Sequence, residues 1–178
     1  MRAAADTYCA PLLAEVELLA RDPATAEQIL RALCFRLEQA NDFGHLASRA
    51  SDLAEALVEL EAFDEAGEWT RLAERHAASD DVNAQLMWRP VRARVHASRG
   101  ELEPAEALAR EGVALADATD DLARRAKAQR DLCHVLVAAG RTGEAASAFE
   151  RALALYERKG SLVRAAEIRA IREERVIA

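Results

Sequence analysis

Two pairs of acidic and histidine residues have the spacing of metal ligands on a helix. Asp42 and His45 are three positions apart, as are Asp131 and His134, and side chains at that spacing lie on one face of a helix. Di-iron sites in helical bundles use carboxylate and histidine pairs of this kind, but they also need glutamates on facing helices of one bundle core. The two pairs here lie far apart in the sequence, and the first falls in a turn. We therefore predict no metal site.

Catalytic arrangements are also missing from the sequence. Cys133 and His134 lie next to each other, and as adjacent residues of a helix they point in different directions. The sequence contains no HExxH metalloprotease motif, no glycine-rich phosphate loop and no GxSxG nucleophile motif. The chain is therefore predicted not to be an enzyme and to need no cofactor.

Cationic residues are concentrated in two stretches. No acidic residue lies between Val82 and Arg99, and Asp131 is the one acid between Leu122 and Asp131. The basic residues are Arg89, Arg92, Arg94 and Arg99 in the first stretch, and Arg124, Arg125, Lys127 and Arg130 in the second. Because the whole chain has a formal net charge of −7, these local concentrations of positive charge would attract an acidic peptide, a carboxylate or a phosphate. Alternatively, the arginines pair with the glutamates that follow between Glu101 and Glu111.

A tryptophan and a proline accompany the first basic stretch. Pro90 inside a helix would remove one backbone hydrogen bond and clash with the carbonyl group of Leu86. A kink there could expose that carbonyl group and the Trp88 indole to a ligand. The alternative is a tolerated bend with Trp88 in the core. The candidate residues for binding a ligand or partner are Trp88, Arg89, Arg94, Lys127, Arg130 and His134.

These residues belong to a repeat in the sequence. Its period is 40, 39 and 40 residues, measured between Ala26, Ala66, Ala105 and Ala145. Such a period is typical of a helical solenoid. Twelve positions earlier each repeat has a small residue, as closely packed helices need at their crossing point. These small residues are Ala14, Ala54, Ala93 and Cys133. A second column predicts the turns, where glycine suits the left-handed residue that ends a helix. It contains Arg21, Glu61, Gly100 and Gly140.

Two segments resemble a known repeat family. They are WRPVRARVHASRGELEPAEALAREGVALA, at 88–116, and DLCHVLVAAGRTGEAASAFERALALYERKG, at 131–160. They are similar to the tetratricopeptide-like repeats in the C-terminal arms of bacterial LuxR-type regulators and of adenylate/guanylate cyclase-associated signalling ATPases. The resemblance implies a right-handed superhelix in which the first helix of each pair lines the concave side. The period is longer than the usual 34 residues and most large aromatic residues are replaced, so no ligand residues are transferred from other members.

The predicted architecture is an all-α, right-handed α-solenoid of about four helix pairs. Half of the residues are hydrophobic but only 4% are aromatic, which favours closely spaced helices rather than strands. The predicted repeats span about 7–44, 45–80, 81–119 and 120–160, and a capping helix follows at 161–176. No linker or change of composition divides the chain, so a single domain is predicted.

Composition also bears on location and partners. No apolar stretch reaches the roughly 20 residues that span a bilayer, and the first residues do not form a signal peptide. Cys9, Cys34 and Cys133 form no CxxC pair, and they are predicted to be reduced thiols packed between helices. We therefore expect a cytoplasmic protein without a membrane partner. Because the chain is acidic and poor in aromatic residues, we expect no direct binding to nucleic acid.

The predicted function is a non-catalytic scaffold that binds a protein or an acidic peptide in its concave groove. Such a scaffold would be part of a bacterial signalling or transcription-regulatory protein. One alternative is a sensor arm that binds a small molecule near Trp88 and His134. A further alternative is self-association through the N-terminal helix, which is predicted at residues 7–20 and whose apolar face contains Leu12, Leu13, Val16 and Leu19. The first residues, MRAAADTYCAP, lack a polar cover, so we expect either a longer natural chain or packing against another copy; a frayed terminus is the alternative.

Overall fold

The computed structural model describes the backbone of residues 2–175 and the side chains of residues 8–170. Across the described backbone the chain forms nine α-helices and no strand. The helices are α1 (Arg2–Leu19), α2 (Pro23–Gln39), α3 (Phe43–Glu59), α4 (Phe63–His76), α5 (Val82–Ser98), α6 (Leu102–Asp117), α7 (Leu122–Ala138), α8 (Thr142–Lys159) and α9 (Leu162–Arg175). The all-α prediction is confirmed. The right-handed superhelix and the number of its repeats stay predictions.

Aspartates begin several helices and left-handed residues end them. The carboxylates of Asp22 and Asp42 accept hydrogen bonds from the backbone N–H groups of Thr25 and His45, which satisfies donors that an α-helix leaves unpaired at its start. The predicted turn column has positive φ in every repeat, at Arg21 (61°), Glu61 (59°), Gly100 (75°) and Gly140 (70°). The turns recur at the same repeat position even where the residue is not glycine.

The chain divides into two compact units, one reaching to Val91 and the other starting at Arg92. In the first unit α1 packs against α2, α2 against α3, and α3 against α4. In the second unit α6 packs against α7, α7 against α8, and α8 against α9. In each of these pairs, helices that follow each other in the sequence are neighbours in space, as short connections require. Helix α5 continues through Pro90 and contributes residues to both units.

The small residues that recur at one position of the repeat, which we call the small column, lie at the helix crossings. Ala14, Ala54, Ala93 and Cys133 are all buried, with at most 5% of their surface exposed. In α3 and α7 the preceding leucines of the repeat, Leu53 and Leu132, are buried beside them. The core of the second unit is built in the same way from alanines, and its large members are Leu132, Val135, Leu136, Phe149, Tyr156 and Ile168.

The first helix differs from the expected pattern. Of its predicted apolar face, Leu12, Leu13 and Val16 are exposed and Leu19 is half-buried. Ala14 is buried because α2 packs against α1 on that side. The predicted start at residue 7 is also late, since the alanine-rich segment from Arg2 onward already lies within α1, as the high helix propensity of alanine favours.

Candidate anion-binding site

A buried aspartate on α7 lies at the centre of the candidate site. Asp131 is fully buried, and its carboxylate accepts hydrogen bonds from Arg130 Nε and Nη2, at 3.1 and 2.9 Å. Lys127 Nζ donates to the other carboxylate oxygen at 3.1 Å. The helix brings Lys127 and Asp131 together because residues four positions apart are neighbours on its surface. We call Arg94, Lys127, Arg130 and His134 the basic cluster.

The basic cluster keeps Asp131 ionised. Burial by itself would raise the pKa of the Asp131 carboxyl group, but the charges of Arg130, Lys127, Arg94 and His134 outweigh burial and hold the pKa below its ordinary value. One carboxylate therefore lies among three permanent cations and a histidine. These four side chains are concentrated around a single carboxylate, in a chain whose net charge is −7.

Neighbouring helices contribute to the same region. Tyr156 on α8 is buried, and burial raises the pKa of its hydroxyl group against the opposing effects of Arg130, Arg164 and Lys127. Tyr156 is therefore a neutral phenol at neutral pH and can donate a hydrogen bond. Arg164 on α9 lies within electrostatic range of this hydroxyl group and also forms an ion pair of 3.1 Å with Glu167.

The cluster is recessed without being sealed. The side chain of Arg130 is 11% exposed and that of Lys127 is 32% exposed, while Arg94 and His134 are half-buried. Beside it, Arg151 Nε of α8 donates a hydrogen bond of 3.1 Å to Oε1 of the buried Gln129. The hydrogen bonds of Lys127, Arg130 and Arg151 hold these side chains in position without a ligand.

The remaining two predicted residues lie on the part of α5 that belongs to the first unit. The Trp88 ring is buried, which favours the core interpretation of this residue over exposure to a ligand. The Arg89 guanidinium lies 4.4 Å from the centroid of the Trp88 ring, a cation–π distance. Arg89 also donates a hydrogen bond of 2.8 Å to the backbone carbonyl oxygen of Gln85. Trp88 and Arg89 thus form a local contact of their own.

Glutamates within α6 and directly before it have specific partners. Glu106 forms ion pairs with Arg110 and with Arg141, the residue before α8, and Glu101, the residue before α6, pairs with His96. Glu144 joins this network through Arg110 and Arg141. The network links α6 to α8 through exposed and half-buried side chains, so it contributes to the packing of the second unit.

The two pairs of aspartate and histidine residues have different roles in the structure. In the first pair, His45 Nδ1 lies 2.9 Å from Asp42 Oδ2 at the start of α3, so this pair supports a helix N-terminus. In the second pair, His134 acts electrostatically on Asp131. Among the side chains that the structure describes, no group of three or more His, Cys, Asp or Glu residues could hold a metal ion.

The cysteines are all free thiols. Cys34 and Cys133 are buried, as predicted, and burial raises the pKa of the Cys34 thiol to about 12. Cys9 is exposed, so the prediction of three packed cysteines is wrong at this position, because Cys9 lies on a part of α1 that no described helix covers. The described helices are each too short or too polar to cross a bilayer.

Two residues of the site, Asp131 and Tyr156, are not among the residues predicted to bind a ligand or partner. In the sequence, Asp131 is a member of a rejected metal-ligand pair and the one acid of the second basic stretch. The available signal for Asp131 was its position at the end of a stretch with four cationic residues and no other acid. These residues are Arg124, Arg125, Lys127 and Arg130. Tyr156 had no such signal, because its position among these charges depends on the packing of α8 against α7.

Comparisons with known proteins bear on the fold. No family model matches the chain, and a search of curated proteins finds no match. The chain is similar to the crystal structure of BtubC (BKLC) from P. vanneervenii, with a TM-score of 0.59 and 19% sequence identity, over 93% of this chain and 78% of that chain. At this identity the similarity concerns the fold alone.

Proposed function

We propose that this protein is a non-catalytic interaction scaffold that binds an acidic segment of a partner protein through the basic cluster. The observation that carries the proposal is the group of cationic side chains that act on the buried Asp131 carboxylate. A carboxylate of the partner would be attracted by the same side chains, and charge-assisted hydrogen bonds to arginine are among the strongest that proteins make.

Preorganisation supports this ligand chemistry. Asp131 holds Arg130 through two hydrogen bonds and Lys127 through one, so binding would freeze little additional side-chain freedom. The Lys127 side chain remains about a third exposed. Its attraction for an anionic ligand therefore acts partly through solvent and would be weakened by salt. Binding at the cluster is therefore expected to be strongest at low ionic strength.

The wider setting of this proposal comes from the resemblance to tetratricopeptide-like repeats. In a right-handed superhelix of that kind, α5 and α7 would be first helices of their pairs and would line the concave side. Both carry members of the basic cluster. A cytoplasmic scaffold within a bacterial signalling or transcription-regulatory protein is the setting that we propose.

A matched pair of variants tests the cluster. Lys127 and Arg125 both lie on α7, their side chains are 32% and 30% exposed, and each forms an ion pair with an aspartate. We expect a fluorescent poly-glutamate peptide to bind the wild-type chain at low salt, Lys127→Gln to weaken binding about fivefold or more, and Arg125→Gln to change it less than twofold. Equal effects of the two substitutions, or no binding at low salt, would contradict the proposal.

A small anionic molecule is the second candidate ligand. The recessed position of Arg130 and the buried hydroxyl group of Tyr156 favour a compact carboxylate or phosphate over an extended peptide. Thermal denaturation with succinate, with inorganic phosphate and with poly-glutamate separates the two candidates. A shift of the melting temperature with a small anion that Lys127→Gln removes would favour a sensor, whereas a response to the polymer alone would favour the scaffold.

A further inference from the structure

Tyr156 on α8 is a buried tyrosine whose hydroxyl group makes no hydrogen bond inside the described part of the chain. The residue is only 3% exposed, and no described residue accepts a hydrogen bond from its hydroxyl group. Buried tyrosine hydroxyl groups normally have a partner, because an unsatisfied donor costs free energy. The Tyr156 hydroxyl group is therefore available as a donor to a ligand.

The register of α7 and α8 directs this hydroxyl group towards the basic cluster. The two helices are joined by residues 139–141 and pack against each other, so they run antiparallel. The hydrogen bond from Arg151 to Gln129 places these two residues at the same level. Tyr156 follows Arg151 by five residues, and long side chains on a helix lean towards its N-terminus. The Tyr156 ring therefore leans back towards the level of Gln129 and Arg130.

Arg164 reaches the same region from α9. Tyr156 lies in the last turn of α8 and Arg164 in the first turn of α9, and the neighbouring Ala165 belongs to the same buried cluster as Tyr156. The Arg164 side chain is 18% exposed, and its Nη1 donates a hydrogen bond of 3.1 Å to Glu167. Because a guanidinium group has five N–H donors, this ion pair leaves donors of Arg164 for a ligand.

We propose, on the basis of the anion binding proposed above, that the anion is a phosphate group to which Tyr156 and Arg164 donate hydrogen bonds. The phosphate group is either free or carried by a phosphorylated segment of a partner protein. The donors come from three helices, because Arg130 and Lys127 lie on α7, Tyr156 on α8 and Arg164 on α9. A carboxylate offers two oxygens in one plane, whereas a phosphate ester offers three acceptor oxygens that point in different directions. A tetrahedral group can therefore accept hydrogen bonds from all three helices at once.

The charges near the Tyr156 hydroxyl group favour the same ligand. Arg130, Arg164 and Lys127 lie within electrostatic range of this group. A phosphate monoester carries a charge of about −1.5 to −2 at neutral pH, so it is attracted by several cations more strongly than a carboxylate is. Asp131 also lies within this range and repels an anion, but its oxygens already accept hydrogen bonds from Arg130 and Lys127. A neutral phenol donor adds a contact to the ligand without adding a charge.

Tyr156→Phe tests the proposed donor, because the substitution removes the hydroxyl group and keeps the ring. The probes are a fluorescent glycine–serine peptide with one phosphoserine and the same peptide with glutamate in its place, titrated at low salt. We expect the wild type to prefer the phosphoserine peptide about tenfold. Tyr156→Phe should weaken phosphoserine binding about fivefold, as expected for one lost hydrogen bond. Tyr8→Phe is the matched control, because Tyr8 is 67% exposed on α1, and it should keep the full preference.

Equal affinity of the wild type for the two peptides, or unchanged phosphoserine binding in Tyr156→Phe, would overturn the assignment of a phosphate group. Poly-glutamate, titrated against the same wild-type sample, separates this failure from a failure of the proposed function. If poly-glutamate binds, the basic cluster still binds anions and only the phosphate assignment is wrong. If neither poly-glutamate nor the phosphoserine peptide binds, both proposals are wrong.

Arg164→Gln and a competition with inorganic phosphate complete the test. Arg164→Gln should weaken phosphoserine binding, whereas Arg169→Gln, on the same helix at a side chain that is 55% exposed, should not. Displacement of the peptide by inorganic phosphate at a similar concentration would identify free phosphate as the ligand. Displacement only at much higher concentration would identify a phosphorylated segment. No displacement at any phosphate concentration would show that the phosphate group is not recognised and would overturn the proposal.

Discussion

Asp131→Asn is the substitution for which the structure gives the largest expected effect. The carboxylate is fully buried and holds Arg130, whose side chain is only 11% exposed. Removing one partner of a buried ion pair typically costs about 3–5 kcal/mol. Lys127 is about a third exposed and stays hydrated, so the loss comes mainly from Arg130. We expect the free energy of unfolding to fall by about 3 kcal/mol.

Urea denaturation followed by circular dichroism measures this loss, and Asp52→Asn is its control. Asp52 occupies the same position of the repeat on α3, but its side chain is 26% exposed and that of its partner Arg49 is 21% exposed. Water reaches this pair, so the control should lose less than about 1 kcal/mol. A loss below about 1 kcal/mol for Asp131→Asn, or equal losses for both variants, would show that Asp131 does not balance a buried cation.

The pH dependence of the same variant provides a second test. The pKa of Asp131 is lower in the folded chain than its ordinary value, which is about 3.9 for an unperturbed aspartate. Its contribution to stability is therefore present above about pH 4 and is lost as the pH falls through the folded-state pKa. The difference between wild type and Asp131→Asn should be constant between neutral pH and about pH 5, and should shrink in more acidic solution.

Three further predictions concern the rest of the fold. Glu61 has a φ of 59° at a turn where later repeats have glycine, so Glu61→Gly should raise the free energy of unfolding by up to about 1 kcal/mol. Gly140 has a φ of 70°, so Gly140→Ala should lower the free energy of unfolding by about 1 kcal/mol in the same urea titration. Arg141→Gln should lower the free energy of unfolding only slightly, and less still in high salt, because its partners Glu106 and Glu144 are 25% and 52% exposed; a large salt-independent loss would contradict this. A thiol reagent should modify Cys9 in the native chain and reach Cys34 only after unfolding, and mass spectrometry of the native reaction counts the modified sites.

The repeat made much of the helical structure predictable. The period identified the small column, which is buried at all four positions, and the turn column, which has positive φ at all four. These features depend on local geometry, since a helix crossing needs a small residue and a tight turn needs a left-handed one. The sequence carries that information at each position independently.

The burial of individual side chains was less predictable. The pattern on α1 resembles the core-facing pattern of later repeats, yet Leu12, Leu13 and Val16 are exposed, because burial depends on a neighbouring helix rather than on the residue itself. Asp131 shows the opposite error, since an acid next to Arg130 suggests a surface pair but lies in the core. The predicted single domain and concave groove concern longer-range geometry and stay predictions.

The column of alanines at the helix crossings has an entropic consequence. An alanine side chain has no rotamer to freeze, so packing at Ala14, Ala54 and Ala93 orders only the backbone. A leucine or methionine at the same position would lose rotational freedom each time the helices closed. The helix crossings therefore form with little loss of side-chain conformational entropy, and thermal unfolding should gain correspondingly little side-chain entropy at these positions.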